Sequence, residues 1–245
     1  MIKTFFYGRD WRSHIVLEKI KNNPNIQLID QWQKADLGLL ASYGKILTDK
    51  EIKHFRHGIL NVHPSLLPKY RGGKPAAAAI LNRDKESGVT IIKLIEKVDA
   101  GPIIGQVKEK VLPTDTSENL EKKLFKLGGK LLNKVLADYL AGKIIPQPQN
   151  EKNASWAPKL KKEGGKIDWT KSPAYLERFI RAMTPWPGAY TRIKIGASTK
   201  YLKILKGHLE KNKLVLDLVQ LEGKKPVSFK QFLEGYPQVS LPADT

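Results

Sequence analysis

The chain has 245 residues, and its 41% hydrophobic content suits a globular protein with an apolar core. It contains no cysteine, which excludes disulfides and cysteine-based metal sites, and no apolar run of about 18 residues of the kind that spans a membrane. The 43 Lys and Arg residues exceed the 24 Asp and Glu residues, giving a net charge of +19. This excess favours a polyanionic partner such as nucleic acid, although a lysine-rich solubilising surface would give the same count.

The first part of the chain alternates between short apolar runs and amphipathic stretches. The apolar runs predict four strands, at 2–7, 26–29, 37–41 and 59–62. Helices are predicted at 11–21, 48–55 and 75–83. In the second of these, Thr48 is the predicted N-cap and Glu51 its capping-box partner. The alternation predicts an α/β fold with a mostly parallel, Rossmann-like sheet.

The middle of the chain continues this pattern and then loses it. A β-branched strand at 88–95 should pair in antiparallel fashion with 103–111, and 116–140 has the clearest helical period. Gly128 and Gly129 are expected to weaken or bend that helix. The stretch 146–165 holds three prolines, two glycines and many lysines, so we expect a linker.

The last part of the chain predicts a small β-rich module. A helix at 175–183 is followed by alternating strands and a short final helix, at 190–195, 201–205, 214–219 and 228–235. We expect a catalytic domain over 1–145, a linker with a connecting helix over 146–188, and a β-rich domain over 189–245. Residues 1–8 make a good first strand and a poor signal peptide, so a cytoplasmic monomer is the expectation.

Two polar side chains end the predicted strand at 59–62, and a third follows a later strand. Asn61 and His63 lie two residues apart, so in a strand they project to the same face. An Asn amide can donate to an oxyanion, and an imidazole titrates near neutrality. Asp99 can orient the imidazole or activate a water. Singly, such residues more often cap strand ends or turns; together they suit acyl transfer.

The segment Asn-x-His-x-Ser-Leu-Leu-Pro-x-Tyr-Arg-Gly at 61–72, followed by Gly-Val-Thr at 88–90 and Val-Asp-x-Gly-Pro at 98–102, resembles the folate-dependent formyltransferases. Later blocks resemble the methionyl-tRNA formyltransferase branch of that family, including Ile-Asp-Trp at 167–169 and Pro-Trp-Pro-Gly-Ala-Tyr at 185–190. The likeness covers roughly 35–236.

The resemblance implies a Rossmann-like formyltransferase domain, an OB-like C-terminal domain, and formyl transfer from 10-formyltetrahydrofolate to initiator methionyl-tRNA without a metal. It implies Asn61, His63 and Asp99 as the catalytic set. Candidate walls of the folate site are Ser65, Leu66, Leu67, Pro68, Ala41, Tyr43 and Gly44. Charge and resemblance together suggest tRNA contacts by Arg71, Lys161, Lys162, Arg192, Lys203 and Lys206.

The chain departs from the family's pattern in its N-terminal half. The stretch 22–34 is too short for the loop that inserts near the tRNA acceptor end, so we expect a shortened N-terminal half. Two alternatives therefore stay open. One is a nucleotide-sugar N-formyltransferase, which shares the His-Pro-Ser-Leu-Leu-Pro signature. The other is a catalytically inactive RNA-binding relative.

Overall fold

The structure is a computed structural model that describes residues 1–241, which divide into two compact units. The first unit consists of Met1–Ala76, Lys85–Val111 and Asn119–Pro158. The second consists of Ala77–Asp84, Leu112–Glu118 and the chain from Lys159 onward. None of the helices within 1–241 has the length and apolar character needed to cross a membrane. The boundaries expected at 145 and 188 stay a prediction.

The first unit is built on a six-stranded sheet with the order β2-β1-β3-β4-β6-β7. Its strands are β1 (Ile2–Tyr7), β2 (Ile26–Leu28), β3 (Leu37–Ala41), β4 (Ile59–His63), β6 (Glu86–Lys93) and β7 (Ile103–Lys110). The first four strands are parallel to one another, β6 runs antiparallel to β4, and β7 runs antiparallel to β6 and hence in the direction of the first four. The predicted mostly parallel α/β fold is confirmed. Because β1 lies between β2 and β3, the strand order reverses there, and ligands of open α/β sheets bind at such points.

Helices α1 (Trp11–Ile20) and α4 (Ser117–Leu140) supply the apolar side chains that pack with one face of this sheet. Helix α4 continues unbroken through Gly128 and Gly129. A Cβ on Gly128 would lie 2.4 Å from Cγ1 of Val62, and one on Gly129 would lie 2.9 Å from Cβ of Lys19. The glycines therefore let α4 approach β4 and α1 closely, and the expected weakening at this pair does not occur.

A second apolar cluster, which includes Tyr7, Leu47, Phe55 and Ile59, packs beside helix α2 (Asp49–His54). The predicted N-cap of α2 is confirmed, since Thr48 Oγ1 accepts a hydrogen bond from the Glu51 amide at 3.3 Å. Glu51 Oε2 accepts the Thr48 amide in return at 2.8 Å. Helix α3 (Pro75–Leu81) begins with proline at its first position, as expected.

The part of the predicted linker from 146 to 158 is ordered. Strand β8 (Trp156–Ala157) pairs in parallel with β5 (Arg71–Gly72), and Ile103 and Gln147 form a bridge. A 3₁₀ turn occupies Glu151–Asn153. The linker expected at 146–165 stays a prediction, and the sequence carries no sign of these pairings because they join distant residues and leave no local period.

The second unit contains a four-stranded antiparallel sheet with the order β12-β11-β10-β9. Its elements are α5 (Pro173–Met183), β9 (Ala189–Ile195), β10 (Ser198–Glu210), β11 (Lys213–Leu221), β12 (Val227–Ser228) and α6 (Phe229–Gly235). Helix α5 begins after Ser172, whose side chain accepts the Tyr175 amide, and buries Leu176, Ile180 and Met183. The expected small β-rich C-terminal module is confirmed.

Candidate active site

Asn61, His63 and Asp99 converge in the first unit. Strand β4 carries Asn61 and His63, and both are buried. Asp99 lies in the loop between β6 and β7, with its backbone in the left-handed region at φ 49°. Nδ2 of Asn61 donates to Oδ1 of Asp99 at 3.3 Å, and Nδ1 of His63 lies 3.5 Å from Oδ2 of Asp99. The sequence placed these groups at separate strand ends, and the structure brings them together.

Several contacts fix the position of the Asp99 carboxylate. The Gly72 amide donates to Oδ2 of Asp99 at 2.8 Å. Nε2 of Gln149 donates to the carbonyl oxygens of Asp99 and Gly101, at 2.8 and 2.7 Å. Gly101 leaves no room for a side chain, because its Cβ would lie 1.8 Å from the carbonyl oxygen of Lys93. These contacts hold the loop on both sides of Asp99. A non-glycine residue keeps a positive φ only when its surroundings fix the backbone in this way.

The second ring nitrogen of His63 sets the tautomer of the imidazole. Nε2 lies 2.9 Å from the carbonyl oxygen of Tyr70, which can only accept, so we assign the hydrogen to Nε2. In the neutral ring, Nδ1 then carries a lone pair beside Asp99. Nδ1 therefore faces the Asp99 carboxylate at 3.5 Å, which is the geometry of a general base paired with a carboxylate.

The ordered stretch from 146 to 158 supports both His63 and Asp99. Its Ser155 accepts the Tyr70 amide at Oγ, at 3.0 Å, and its backbone carbonyl accepts the Arg71 amide at 2.8 Å. Gln149 from the same stretch holds the Asp99 loop. These contacts fix the Tyr70 carbonyl, which orients the imidazole of His63, and the backbone of Asp99, which carries the carboxylate.

Two cavities meet at Asn61 and Asp99. The larger, of about 310 Å³, is also lined by His63 and by Tyr43 and Gly44 after β3. The smaller, of about 120 Å³, is mostly apolar and is also lined by Leu40, Ile46, Leu47, Ile52, Leu94, Ile95 and Val98. An amide and a carboxylate therefore stand between a polar space and an apolar one.

A charged cluster lines the larger cavity. Nε of Arg12 donates to Oε2 of the buried Glu121 at 2.6 Å, and Nζ of Lys74 lies 3.4 Å from Oε1. Nη1 of Arg12 also donates to Asp10 at 2.8 Å. Burial opposes ionisation of Asp10, but hydrogen bonds from Ser13, Ser42 and Arg12 outweigh it and lower the pKa of Asp10. The lowered pKa keeps the Asp10 carboxylate ionised next to Arg12.

The predicted folate-site residues fall into two groups. Tyr43 and Gly44 line the larger cavity, whereas Ala41 is fully buried in β3. The four residues from Ser65 to Pro68 line neither cavity. Ser65 Oγ donates to the carbonyl of Lys69 at 2.6 Å, and the Leu67 amide donates to Oγ1 of Thr90 at 3.1 Å. These four residues stabilise the loop after β4, and their contact with folate stays a prediction.

Arg71 has a different role from the predicted tRNA contact. Its guanidinium is 1% exposed and donates to Gln149 and to both carboxylate oxygens of Glu151, at 2.8–3.2 Å. Hydrogen bonds from Arg71 and Lys97 lower the pKa of Glu151 to about 2. Arg71 therefore anchors the 146–158 stretch, and its contact with tRNA, which this burial does not favour, stays a prediction.

The other predicted tRNA contacts are exposed residues of the second unit, namely Lys161, Lys162, Arg192, Lys203 and Lys206. Three of them, Lys162, Arg192 and Lys203, line a cavity of about 580 Å³ within that unit. Lys161 and Lys206 are not among the residues that line it.

Sequence reasoning missed the apolar cavity and the supporting stretch. Ile95 and Val98 are about 40% exposed next to Asp99, and Ile46 is 83% exposed. The signal that the sequence does carry is the position of these aliphatic residues in loops beside Asp99, whereas their exposure is known only from the structure. Within residues 1–241, no cluster of three or more His, Cys, Asp or Glu residues is arranged to hold a metal ion.

Two family models match the chain, the first mostly within the first unit and the second within the second unit. Residues 17–136 match the formyl transferase domain, and residues 159–215 match the formyl transferase C-terminal domain. The methionyl-tRNA formyltransferase of Methylacidiphilum infernorum is 41% identical over 242 residues, which cover 89% of this chain and 75% of the relative. The chain therefore belongs to the formyl transferase family.

The chain is shorter than its relatives. It matches the methionyl-tRNA formyltransferase of Listeria monocytogenes strain HCC23 at 41% identity over 177 residues, which cover 72% of this chain and 56% of the relative. These shares do not say which part of the relatives is unmatched, so the shortened N-terminal half expected from 22–34 stays a prediction.

Solved structures share the fold at low sequence identity. Methionyl-tRNA formyltransferase from Clostridium thermocellum aligns with a TM-score of 0.68 and 18% identity, over 90% of this chain and 99% of that chain. An N-formyltransferase from Helicobacter canadensis gives 0.69 and 20%, over 93% and 99%. HypX from Aquifex aeolicus in complex with tetrahydrofolic acid gives 0.74 and 16%, over 96% and 47%.

Proposed function

We propose that this chain transfers the formyl group of 10-formyltetrahydrofolate to the amino group of initiator methionyl-tRNA. The observation that carries the proposal is the convergence of Asn61, His63 and Asp99 between two cavities of different polarity. Similarity to relatives named methionyl-tRNA formyltransferase supports this acceptor over a sugar amine. An acceptor of this kind implies work in the cytoplasm, where charged tRNA is used.

The smaller cavity is the proposed site for the pterin end of the donor. Its aliphatic lining suits a flat ring system, and Asn61 and Asp99 close one side of it. The larger cavity, with its charged cluster, is the proposed path of the amine. This arrangement places Tyr43 and Gly44 on the acceptor side and not on the folate side expected from the sequence. In this arrangement the formyl carbon lies between the two cavities, next to both polar groups.

Asn61 is the proposed donor to the developing oxyanion. One hydrogen of its Nδ2 group is directed to Asp99, which leaves the second for the carbonyl oxygen of the formyl group. A positioned donor of this type typically stabilises the transition state by about 2.7–4 kcal/mol. The adjacent carboxylate also fixes the orientation of the amide, so that the nitrogen faces the site.

His63 and Asp99 are the proposed proton carriers. The attacking amine must be neutral, and it loses a further proton as the new C–N bond forms. His63 Nδ1 accepts a proton in this geometry, and Asp99, 3.5 Å away, stabilises the resulting imidazolium. The same proton can then reach the folate nitrogen, which must be protonated to leave. No metal is required for these steps.

The second unit is the proposed contact surface for tRNA. Its exposed lysines and Arg192 belong to a chain of net charge +19, and a polyanion is drawn to such a surface over long range. Phosphate contacts fix the position of a nucleic acid without reading its bases. Binding through these contacts should weaken steeply as salt rises, whereas a nucleotide sugar should respond weakly.

The proposal is tested by incubating the chain with donor labelled in the formyl carbon and with charged initiator tRNA. We expect label in formylmethionine released from the tRNA. The control is the same tRNA without its amino acid, which should take up no label. Label transferred to an amino-sugar nucleotide, with none to charged tRNA, would contradict the proposed acceptor. If a folate analogue raises the melting temperature but neither acceptor is formylated, the chain is not an active transferase.

A further inference from the structure

A cavity in the second unit has an unusual lining for a solvent-facing sheet surface. Strands β9 and β10 bury one face through residues such as Ile193, Leu202 and Ile204. The opposite face alternates with these and presents Tyr190 and Arg192 on β9, and Tyr201 and Lys203 on β10. In the register of the pair, Tyr190 is opposite Lys203 and Arg192 is opposite Tyr201. Two aromatic rings and two cations therefore form one compact block.

Trp186 adds a third aromatic ring to the cavity lining. Its side chain is 52% exposed, and that of Tyr201 is 38% exposed. The Tyr190 and Tyr201 rings pack edge to face, with centroids 5.4 Å apart. A single exposed aromatic ring on a protein surface needs no explanation. Several aromatic rings that line one cavity of about 580 Å³ indicate a ligand site.

Arg192 is held in place by the ring of Tyr201. Its guanidinium carbon lies 5.4 Å from the ring centroid, and its Nη2 donates to the Tyr201 hydroxyl at 3.1 Å. An Arg fixed in this way presents a planar cation at a defined position. A freely solvated surface arginine would have no such anchor.

The remaining polar groups of the cavity suit a ligand that has both a phosphate and a base. Lys162, Arg192 and Lys203 supply positive charge, against Glu163 and Glu222. Glu222 accepts the Tyr201 amide at 3.2 Å, so its carboxylate is already engaged. Gln220 Nε2 donates to the carbonyl of Lys224 at 2.9 Å, which leaves its amide oxygen as an acceptor.

We propose that this cavity binds an unpaired nucleotide of an RNA strand, with the base against the aromatic rings and the phosphates near Lys162 and Lys203. Aromatic side chains bind any base through its π-face, while basic side chains follow the backbone. The faces of paired bases are hidden within an RNA duplex, so a duplex offers only phosphates to this surface. The inference rests on the proposed function only in taking the RNA to be the tRNA that accepts the formyl group.

The test measures binding of a fluorescein-labelled, single-stranded oligoribonucleotide and of a blunt duplex of the same length, without folate. We expect the single strand to bind more tightly than the duplex. Trp186→Ala should weaken single-strand binding about tenfold, a typical loss for one base–aromatic stack, and change duplex binding by less than about twofold. Trp186→Phe, which keeps a ring at this position, should retain most of the affinity.

Charge is tested separately from stacking by a matched pair of lysines. Lys203→Ala removes a cation from the cavity, and Lys213→Ala removes an exposed one from the same sheet but outside the cavity lining. We expect the first to weaken single-strand binding several-fold more than the second. Melting temperatures of all variants check that the fold is retained.

An equal loss for single strand and duplex in Trp186→Ala, or no loss for either, would overturn the inference and leave a phosphate-only surface. Because the assay needs no catalysis, its outcome is independent of formyl transfer. If wild-type protein formylates charged tRNA and Trp186→Ala binds RNA normally, the inference fails alone. If the pocket binds single strands as described and no acceptor is formylated, the proposed function fails alone.

Discussion

The cavity of the first unit that Asn61, His63 and Asp99 line and the aromatic cavity of the second unit are built in opposite ways. In the first, Asn61, His63 and Asp99 are short, largely buried side chains, and each has at least one polar partner that fixes it. In the second, Trp186 and Lys203 are exposed. Bond-making chemistry needs groups placed to within a fraction of an ångström, whereas binding a polyanion needs charge and ring faces in roughly the right place.

This difference predicts different responses to substitution. A change in the first cavity should reduce kcat, because it removes an interaction made in the transition state. A change in the second cavity should mainly weaken RNA binding, and the size of this effect should depend on the salt concentration. Each of the following variants tests that division, starting with the largest effect.

Asp99→Asn should lower kcat for formyl transfer about 10²–10⁴-fold, because the neutral amide cannot stabilise a protonated His63. Asn tolerates the left-handed backbone at this position, but its NH₂ group replaces one of the two oxygens that accept from Asn61 and Gly72, so the melting temperature should fall modestly while the variant stays folded. Steady-state kinetics and thermal unfolding measure the two quantities. Retained turnover in a folded variant would remove Asp99 from the proposed mechanism and would break the contrast between the two cavities.

Gly128→Ala should destabilise the first unit by about 1–3 kcal/mol, since the new methyl group overlaps Val62 on the strand that carries Asn61 and His63. Urea unfolding gives the free energy of unfolding. The matched control is Gly164→Ala, where no neighbouring atom lies within 4 Å of the added Cβ. Equal stability of the two variants would mean that α4 does not approach β4 as closely as described.

Lys203→Ala should raise KM for charged tRNA about threefold and reduce the slope of log binding constant against log salt by about one. The reason is the loss of one phosphate contact from an exposed side chain. Lys213→Ala serves as the control and should give a smaller change in the slope. A drop in kcat with unchanged KM would place Lys203 with the chemistry and contradict the division.

Glu151→Gln should have the smallest effect, and it should depend on pH. The pKa of Glu151 falls from its usual 4.5 to about 2 in the folded chain, because Arg71 and Lys97 donate to the ionised carboxylate. Ionised Glu151 therefore stabilises the fold fully above pH 4.5, and this contribution is lost as the pH falls toward 2. The melting temperatures of wild type and variant should differ at pH 7 and converge near pH 2. A difference that grows in acid would contradict the ion pair.

Most of the secondary structure was predictable, because apolar period and capping residues are local. The strand carrying Asn61 and His63, the capping box of Thr48 and Glu51, and the β-rich second unit are examples. The 146–158 stretch was not predictable, because its order depends on Arg71, about 80 residues earlier in the chain. For the same reason the sequence gives no sign that the side chain of Arg71 is buried.

The candidate site was predictable only in part. Asn61 and His63 lie two residues apart on one strand, so their side chains project to the same face. Asp99 was added to this pair because it lies in the Val-Asp-x-Gly-Pro segment at 98–102. The supports of that set, Gln149 and Ser155, carry no local pattern and are brought in by tertiary structure. The loop after β4 shows the opposite error, since Ser65 to Pro68 lie next to the catalytic motif in sequence but line neither cavity.

The central claim is that Asn61, His63 and Asp99 act as one unit on a single formyl group. Single-turnover transfer from labelled 10-formyltetrahydrofolate to charged initiator tRNA should be measured for wild type, for the three single Ala variants and for the triple variant. Groups that act together are strongly non-additive, so the triple variant should be about as slow as the worst single variant. Losses that simply multiply across the three sites, or near wild-type transfer by the triple variant, would contradict the account.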